Sequence, residues 1–113
     1  MRRILHVISG LGTGGAELFL ATLAPRLAAR DFAQTVVSLT GEGAAAERLH
    51  AAGIAVVALD AKGVAKAPLA IRRIARLIDE TRPDVVQGWM YHGDLFAALA
   101  SKMAGKKPER LAW

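Results

Sequence analysis

Short apolar runs alternate with segments of helical periodicity along this chain, and no other feature restricts its fold as strongly. Apolar runs of strand length occupy residues 4–8, 34–39, 54–59 and 84–88, and another opens at 110–113. After each of the first four runs, apolar residues recur every three or four positions, as on one face of a helix. Strand and helix in strict alternation predict a parallel sheet with helices on both of its faces.

The expected fold class is therefore a Rossmann-like three-layer α/β/α domain with a mainly parallel sheet of four to five strands. Its helices are predicted at residues 16–27, 44–52, 68–82 and 94–104. The first helix is expected to turn Phe19 and Leu20 toward the core. It is also expected to kink at Pro25, because proline has no backbone N–H to continue the helix.

Burial is predicted for the third strand and for the inner face of the last helix. The run 54–59 is expected to be covered on both faces, as strands in parallel sheets usually are. The last helix is expected to begin at an Asp94 cap and to turn four apolar side chains inward. These four are Phe96, Leu99, Ala100 and Met103.

Ligands of parallel α/β sheets bind at the carboxyl ends of the strands, near the point where the strand order reverses. Four loops meet that description, at residues 9–15, 40–43, 60–66 and 88–94. The first loop holds Gly10, Gly12 and Gly15 in a GxGxxG pattern between a strand and a helix. In that context glycines let backbone amides approach a phosphate. Gly10 and Gly12 are expected to serve a tight turn with positive φ.

The same glycine pattern occurs in nicotinamide-dependent oxidoreductases, which remain an alternative. Those domains also need an acidic residue at the end of the second strand to bind the ribose. Residues 38–41 contain none, since Asp31 precedes the strand and Glu42 follows it late. A P-loop is excluded, because neither Gly-Lys-Ser nor Gly-Lys-Thr occurs in the sequence. The glycine pattern therefore does not decide the class of protein by itself.

Two segments together resemble one family of enzymes. The amino-terminal signature of family 4 of the retaining GT-B glycosyltransferases is similar to Arg3–Ile8 followed by Gly14-Gly15-Ala16-Glu17. The fourth strand of that family and the loop after it are similar to residues 83–92, Pro-Asp-Val-Val-Gln-Gly-Trp-Met-Tyr-His. The resemblance implies transfer of a sugar, with retention at the anomeric carbon, from a nucleoside diphosphate sugar to a glycan or lipid-linked acceptor.

The resemblance also implies roles for residues of the first turn. Gly14 and Gly15 are expected to lie against the donor diphosphate, where a side chain would hold the backbone dipoles away from the charge. Glu17 is expected either to offset the dipole of the first helical turn or to shape the acceptor site. No catalytic residue is identified.

An aromatic group in the fourth of these loops is the second candidate site. Trp89, Tyr91 and His92 are expected to lie in a loop, where they would stack on a sugar and hydrogen-bond its hydroxyls. For His92 the alternative is a structural role in fixing the loop beside the next helix. His6, inside a predicted strand, and His50, on a short helix, are expected to be structural.

Charge indicates one further partner. Fifteen basic residues against ten acidic ones give a net charge of +5, and ten of the basic residues lie after residue 59. Arg72, Arg73 and Arg76 are expected on the outer face of one helix, either as solvated surface or as a contact for anionic lipid. Nucleic acid is not an expected partner, because the six aromatic residues do not alternate with the basic ones.

The remaining expectations concern compartment, cofactors and domains. The absence of cysteine fits a reducing compartment, so a cytoplasmic protein is expected, with a peripheral location at the inner membrane face as the second possibility. Neither a metal nor a cofactor is expected, the nucleoside diphosphate sugar being a co-substrate. The resemblance implies that residues 1–113 are a partial amino-terminal domain without its carboxyl-terminal donor-binding domain, and inactive alone. A non-catalytic module that binds carbohydrate or a partner is the last alternative.

Overall fold

The computed structural model describes residues 2–10, 15–41, 43–60, 66–104 and 110–112. The side chains of residues 16, 90–94 and 110–112 lie outside this description. Five strands and four helices alternate along the described chain. They are β1 (Arg2–Ile8), α1 (Gly15–Ala28), β2 (Phe32–Ser38), α2 (Ala44–Ala51), β3 (Ala55–Ala58), α3 (Ala67–Thr81), β4 (Val85–Trp89), α4 (Met90–Met103) and β5 (Arg110–Ala112).

The strands form one parallel sheet in the order β3-β2-β1-β4-β5, which confirms the predicted fold class. In the centre, Val7 pairs with Val37 on one side and with Gly88 on the other. Along the chain, β2 and β3 are added on one side of β1, and β4 and β5 are then added on its other side. The strand order therefore reverses between β1 and β4, and the carboxyl ends of these two strands border the crevice where such folds bind ligands.

Two apolar layers cover the sheet, because successive side chains of a strand point to opposite faces. On β1, Leu5 and Val7 pack against α3 and α4, whereas Ile8 packs against α1 and α2. The first layer contains Leu5, Val7, Val37, Leu39, Ile74, Ala75, Ile78, Val86, Ala97, Ala100 and Ala104. The second contains Ile8, Leu20, Ala21, Ala24, Val36, Ala45, Ala46, Leu49 and Ile54. The central strand is thus buried on both faces, as its apolar run predicts.

Four expectations about burial were wrong. β3 is an edge strand of four residues, none of them fully buried, because only β2 pairs with it. Phe19 on α1 is 59% exposed, and Met103 on α4 is 56% exposed. Leu99 is exposed as well, and small residues replace these large ones at the sheet, for example Ala21 on α1. Alanine lets a helix backbone approach the sheet closely, so residue size as well as apolar spacing decided which face turned inward.

The helix boundaries follow local backbone chemistry. Pro25 lies inside α1, and the helix continues through Ala28, with the amide of Ala29 donating to the Pro25 carbonyl at 3.1 Å. Gly53 follows α2 with a φ of 76°, a conformation that glycine adopts at little cost. Arg82 follows α3 in the left-handed conformation, with φ 48° and ψ 60°. Each helix therefore ends where the chain turns toward the next strand.

Candidate functional site

The two motifs predicted separately meet at one edge of the sheet. β1 ends at Ile8, and α1 begins at Gly15. Ile8 pairs with Trp89, the last residue of β4, so the carboxyl ends of β1 and β4 lie side by side. Gly14, the other predicted diphosphate contact, lies outside the described residues. The described residues expected from sequence at the end of β1 and at the end of β4 therefore lie where the strand order reverses.

Gly15 is the first residue of α1, and nothing within the described part of the protein requires a glycine there. Its backbone does not have positive φ, and a Cβ atom added to it would meet no other atom within 4 Å. The residue is exposed to solvent. The amides of a first helical turn lack partners within the helix and carry the positive end of its dipole. Among the described residues, none therefore occupies the space that a side chain at Gly15 would fill.

Gly10 is a glycine for a different reason. The expected positive φ was wrong, since Gly53 alone among the described glycines has one. A Cβ atom at Gly10 would instead lie 2.8 Å from Oγ1 of Thr40, closer than side chains tolerate. That hydroxyl donates to the Ser9 carbonyl at 3.0 Å. Gly10 therefore allows the ends of β1 and β2 to approach each other, while Gly12 lies outside the described residues.

Glu17 lies in the first turn of α1 and is half-buried. A carboxylate at this position interacts favourably with the helix dipole, which accounts for one of its two expected roles. A role in shaping the acceptor site stays a prediction. Glu17 lies two residues after Gly15, so its backbone belongs to the same edge of the sheet.

A chain of buried hydrogen bonds runs beneath the site. The indole Nε1–H of Trp89 donates to Nδ1 of His6 at 3.1 Å, and Nε2 of His6 lies 2.9 Å from Oε1 of Gln34. The Gln34 amide nitrogen then donates to the Ala24 carbonyl of α1 at 2.7 Å. His6 is only 2% exposed. The structural role expected for His6 is confirmed, and it consists of tying β4 through β1 and β2 to α1.

The partners of His6 define its protonation. Because Nδ1 accepts from Trp89, the proton of the neutral ring is on Nε2 and is donated to Gln34. Burial lowers the pKa of His6 below its ordinary value, although the hydrogen bond to Gln34 raises it in part. A second proton on Nδ1 would also face the indole N–H, placing donor against donor. Burial and these two hydrogen bonds therefore both favour the neutral form of His6.

Trp89 has a second aromatic neighbour that the sequence did not identify as a site residue. The ring of Phe19 lies 5.9 Å from that of Trp89, with 48° between the ring planes. The imidazole of His6 lies 6.0 Å from Trp89 on a similar tilt. One signal was available in the sequence, because Phe19 follows Gly15 by four residues and so shares its side of the helix. The indole N–H is already used, so Trp89 does not donate to a sugar hydroxyl.

Tyr91 and His92 do not lie in a loop, and Asp94 does not cap the last helix. β4 leads directly into α4, which begins at Met90, with Trp89 as the capping residue and no side-chain cap hydrogen bond. The strand end supplies the extended conformation that a helix cap needs, which makes a connecting loop unnecessary. Tyr91 and His92 thus belong to the first turn of α4, at the same edge of the sheet as Gly15. Their side chains lie outside the described part of the chain.

The described residues contain neither a metal site nor a membrane span. In the ranges that the structure describes, no three His, Cys, Asp or Glu side chains are grouped so that they could hold a metal ion. Nor does any helix in those ranges have the length and apolar character needed to cross a membrane. The basic residues Arg72, Arg73 and Arg76 are exposed on α3, as predicted.

The alternating strands and helices and the parallel sheet, whose order reverses beside β1, define a Rossmann-like domain. The family described as Glycosyltransferase Family 4 matches residues 13–108. The chain belongs to glycosyltransferase family 4. Among curated proteins, no sequence matches it significantly.

Solved structures share the fold. Acinetobacter baumannii MurG is 19% identical with a TM-score of 0.75, over 99% of this chain and 34% of that one. A glycosyltransferase from Rickettsia africae ESF-5 is 17% identical with a TM-score of 0.68, over 98% and 29%. A conserved protein from Thermus thermophilus is 18% identical with a TM-score of 0.68, over 98% and 64%. The chain therefore spans less than two thirds of each, and at these identities the likeness concerns the fold alone.

Proposed function

We propose that this chain is the acceptor-side, amino-terminal domain of a retaining GT-B glycosyltransferase. The whole enzyme would transfer a sugar, a hexose or an N-acetylhexosamine, from a nucleoside diphosphate sugar to a glycan or lipid-linked acceptor. Membership of glycosyltransferase family 4 favours this function over a nicotinamide-dependent oxidoreductase. The nucleotide would be held by a second domain beyond residues 1–113, with no cofactor besides the sugar nucleotide itself.

The observation that supports this proposal most directly is the position and exposure of Gly15. It is exposed at the start of α1, lies at the reversal of the strand order and has open space where a side chain would be. Backbone amides and the helix dipole at such a position favour a phosphate group. As charge develops on the leaving diphosphate, the same amides would stabilise it without having to reorganise. Gly14 is proposed as the second contact.

The diphosphate contact can be tested on the 113-residue chain labelled with nitrogen-15. Titration with inorganic pyrophosphate and with uridine diphosphate should shift the amide signal of Gly15 and leave that of Asp84, at the opposite edge, in place. Gly15→Val should weaken binding at least about tenfold by blocking the approach, a loss of about 1.4 kcal/mol. Gly41→Val is the matched control, because a Cβ at Gly41 also meets nothing within 4 Å. Equal effects of the two variants would contradict the proposal.

We further propose that the outer face of α3 contacts anionic lipid, as a peripheral enzyme with a lipid-linked acceptor would require. Arg72, Arg73 and Arg76 are exposed there, and Leu69 on the same helix is 67% exposed. Each cation near an anionic surface contributes about 1 kcal/mol, so Arg72→Glu should reduce vesicle binding severalfold. Arg48→Glu, an equal charge change at an exposed site on α2, should reduce it less. If the protein floats equally well with vesicles that contain anionic lipid and with vesicles that lack it, the proposed contact is wrong.

A further inference from the structure

The crevice between β1 and β4 carries an aromatic surface whose role family membership does not assign. Phe19 is 59% exposed and lies 5.9 Å from the half-buried ring of Trp89. A single exposed apolar side chain is ordinary on a protein surface. Here, however, two aromatic rings meet at the reversal of the strand order, and Phe19 lies one helical turn from the open backbone at Gly15. The pair therefore borders the space where the proposed reaction would occur.

Hydrogen bonds within the protein hold the indole of Trp89 in place in that surface. Its N–H donates to Nδ1 of His6, and His6 is held in turn by Gln34, whose amide donates to the backbone of α1. A hydrogen-bonded indole cannot turn over without leaving a buried acceptor unsatisfied, which is unfavourable. Because its single donor is used internally, Trp89 offers a ligand only its π-surface. Phe19 likewise offers only a ring.

A surface of two rings without donors selects a particular kind of contact. One face of a pyranose ring presents C–H groups and stacks on aromatic side chains, whereas its hydroxyls require polar partners. We propose that Phe19 and Trp89 form one stacking surface for the C–H face of an acceptor sugar, and that His6, held by Gln34, is the positioning residue that fixes the indole. The ligand's identity as acceptor rests on the proposed function.

The stacking surface is tested with Trp113→Phe as the parent chain, in which Trp89 is the sole remaining tryptophan. Methyl β-glucopyranoside and N-acetylglucosamine should shift its indole N–H signal saturably in nitrogen-15 spectra, and sorbitol, an acyclic polyol, should not. Phe19→Ala should weaken the binding of both pyranoses about 2- to 10-fold. Leu18→Ala, an exposed neighbour on the same helix, should leave it unchanged. A sorbitol response equal to that of the pyranoses, or no saturable shift, overturns the stacking surface.

The positioning role is tested by two substitutions of His6 that remove the ring equally. The amide oxygen of His6→Asn can occupy the place of Nδ1 and accept from Trp89, whereas the longer side chain of His6→Gln reaches the place of Nε2 and the Gln34 contact. His6→Asn should therefore retain pyranose binding and the downfield indole N–H signal, and His6→Gln should lose both. A purely structural role for His6 predicts equal effects of the two variants, and that result overturns the positioning role.

The unmodified chain offers a reading that depends on no variant. Nitrogen-15 spectra of its histidines should show His6 as the neutral tautomer protonated at Nε2, and the opposite tautomer overturns the positioning role even if both His6 variants fail to fold. The two proposals also fail separately. If pyranoses bind at Trp89 but pyrophosphate does not bind at Gly15, only the proposed donor contact is wrong. If pyrophosphate binds at Gly15 but pyranoses do not bind at Trp89, only the proposed stacking surface is wrong.

Discussion

The buried side chain of His6, which is hydrogen-bonded to Trp89, should make the free energy of unfolding of the domain depend on pH. Burial lowers its pKa below the ordinary value of 6.5, and the hydrogen bond to Gln34 offsets this shift only in part. Below about pH 6.5 the side chain of His6 is therefore protonated in the unfolded chain but stays neutral in the folded chain. The free energy of unfolding should be flat above this pH and fall below it by up to about 1.4 kcal/mol per pH unit, until the pKa of the folded state is reached.

Urea unfolding between pH 5 and 8 measures this slope. The described hydrogen-bond partners of the His6 ring, Gln34 and Trp89, are uncharged, so no ion pair on those groups contributes to the change. His6→Asn should remove the part of the slope that belongs to His6. His50→Gln, at an exposed position on α2, should retain it. A slope that His6→Asn leaves unchanged would show that another group causes the loss of stability.

At the scale of elements, the end of α3 contains a correctable strain. Arg82 adopts φ 48° and ψ 60°, where a Cβ atom costs about 1 kcal/mol and glycine costs little. Its amide still donates to the Ile78 carbonyl at 2.9 Å, so the turn itself is well formed. Arg82→Gly should therefore raise the free energy of unfolding by about 0.5 kcal/mol, after the greater freedom of glycine in the unfolded chain is counted.

The matched control for this prediction is a substitution within the same helix. Arg72 is an exposed residue inside α3, where glycine lowers stability by about 1 kcal/mol. Arg72→Gly should consequently destabilise the domain while Arg82→Gly stabilises it, and thermal or urea unfolding distinguishes the two signs. Loss of stability in both variants would mean that the left-handed turn after α3 carries no strain.

The spacing of apolar residues predicted the helices and strands better than it predicted which of their residues are buried. The outer face of α3, with Arg72, Arg73 and Arg76, was identified correctly, because spacing along one helix defines which side is polar. The exposure of Phe19 was missed, since that face is ultimately chosen by the layer it packs against. The edge position of β3 was also missed, because the order of strands depends on pairing between distant residues. Only the structure shows these pairings.

The candidate site illustrates the same limit. The position of Gly15 at the start of α1 could be predicted, because the strand before it and the helix after it each have a local sequence pattern. Placing Trp89 near the site was possible from its position after an apolar run. Its link to His6 was not, since 83 residues separate them and neither residue's local pattern indicates the other. Long-range hydrogen bonds of this kind appear only once strand order and register are known.

At the scale of the whole molecule, Gly15, Phe19 and Trp89 lie together at the carboxyl edge of the sheet, and Gly15 and Phe19 are exposed there. One cleft among the described residues, near Arg3 and Glu80 and about 340 Å³ in volume, lies at the amino ends of the strands, away from Gly15. The stacking surface and the helix N-terminus face the carboxyl edge instead. A ligand bound there would keep one side in water unless another domain covered it. The proposed donor-binding domain would supply that cover.

This geometry predicts binding without turnover for the 113-residue chain. Sugar transfer requires that donor and acceptor be held in reacting position and that water, a competing acceptor, be excluded. Without the proposed donor-binding domain neither condition is met, so the chain should bind pyrophosphate and pyranoses weakly but transfer no sugar. Incubation with radiolabelled uridine diphosphate glucose and N-acetylglucosamine acceptors, followed by chromatography, measures this. Transfer or donor hydrolysis above that of a heat-denatured control would show that these residues alone enclose a reaction site, and that no second domain is needed for the chemistry.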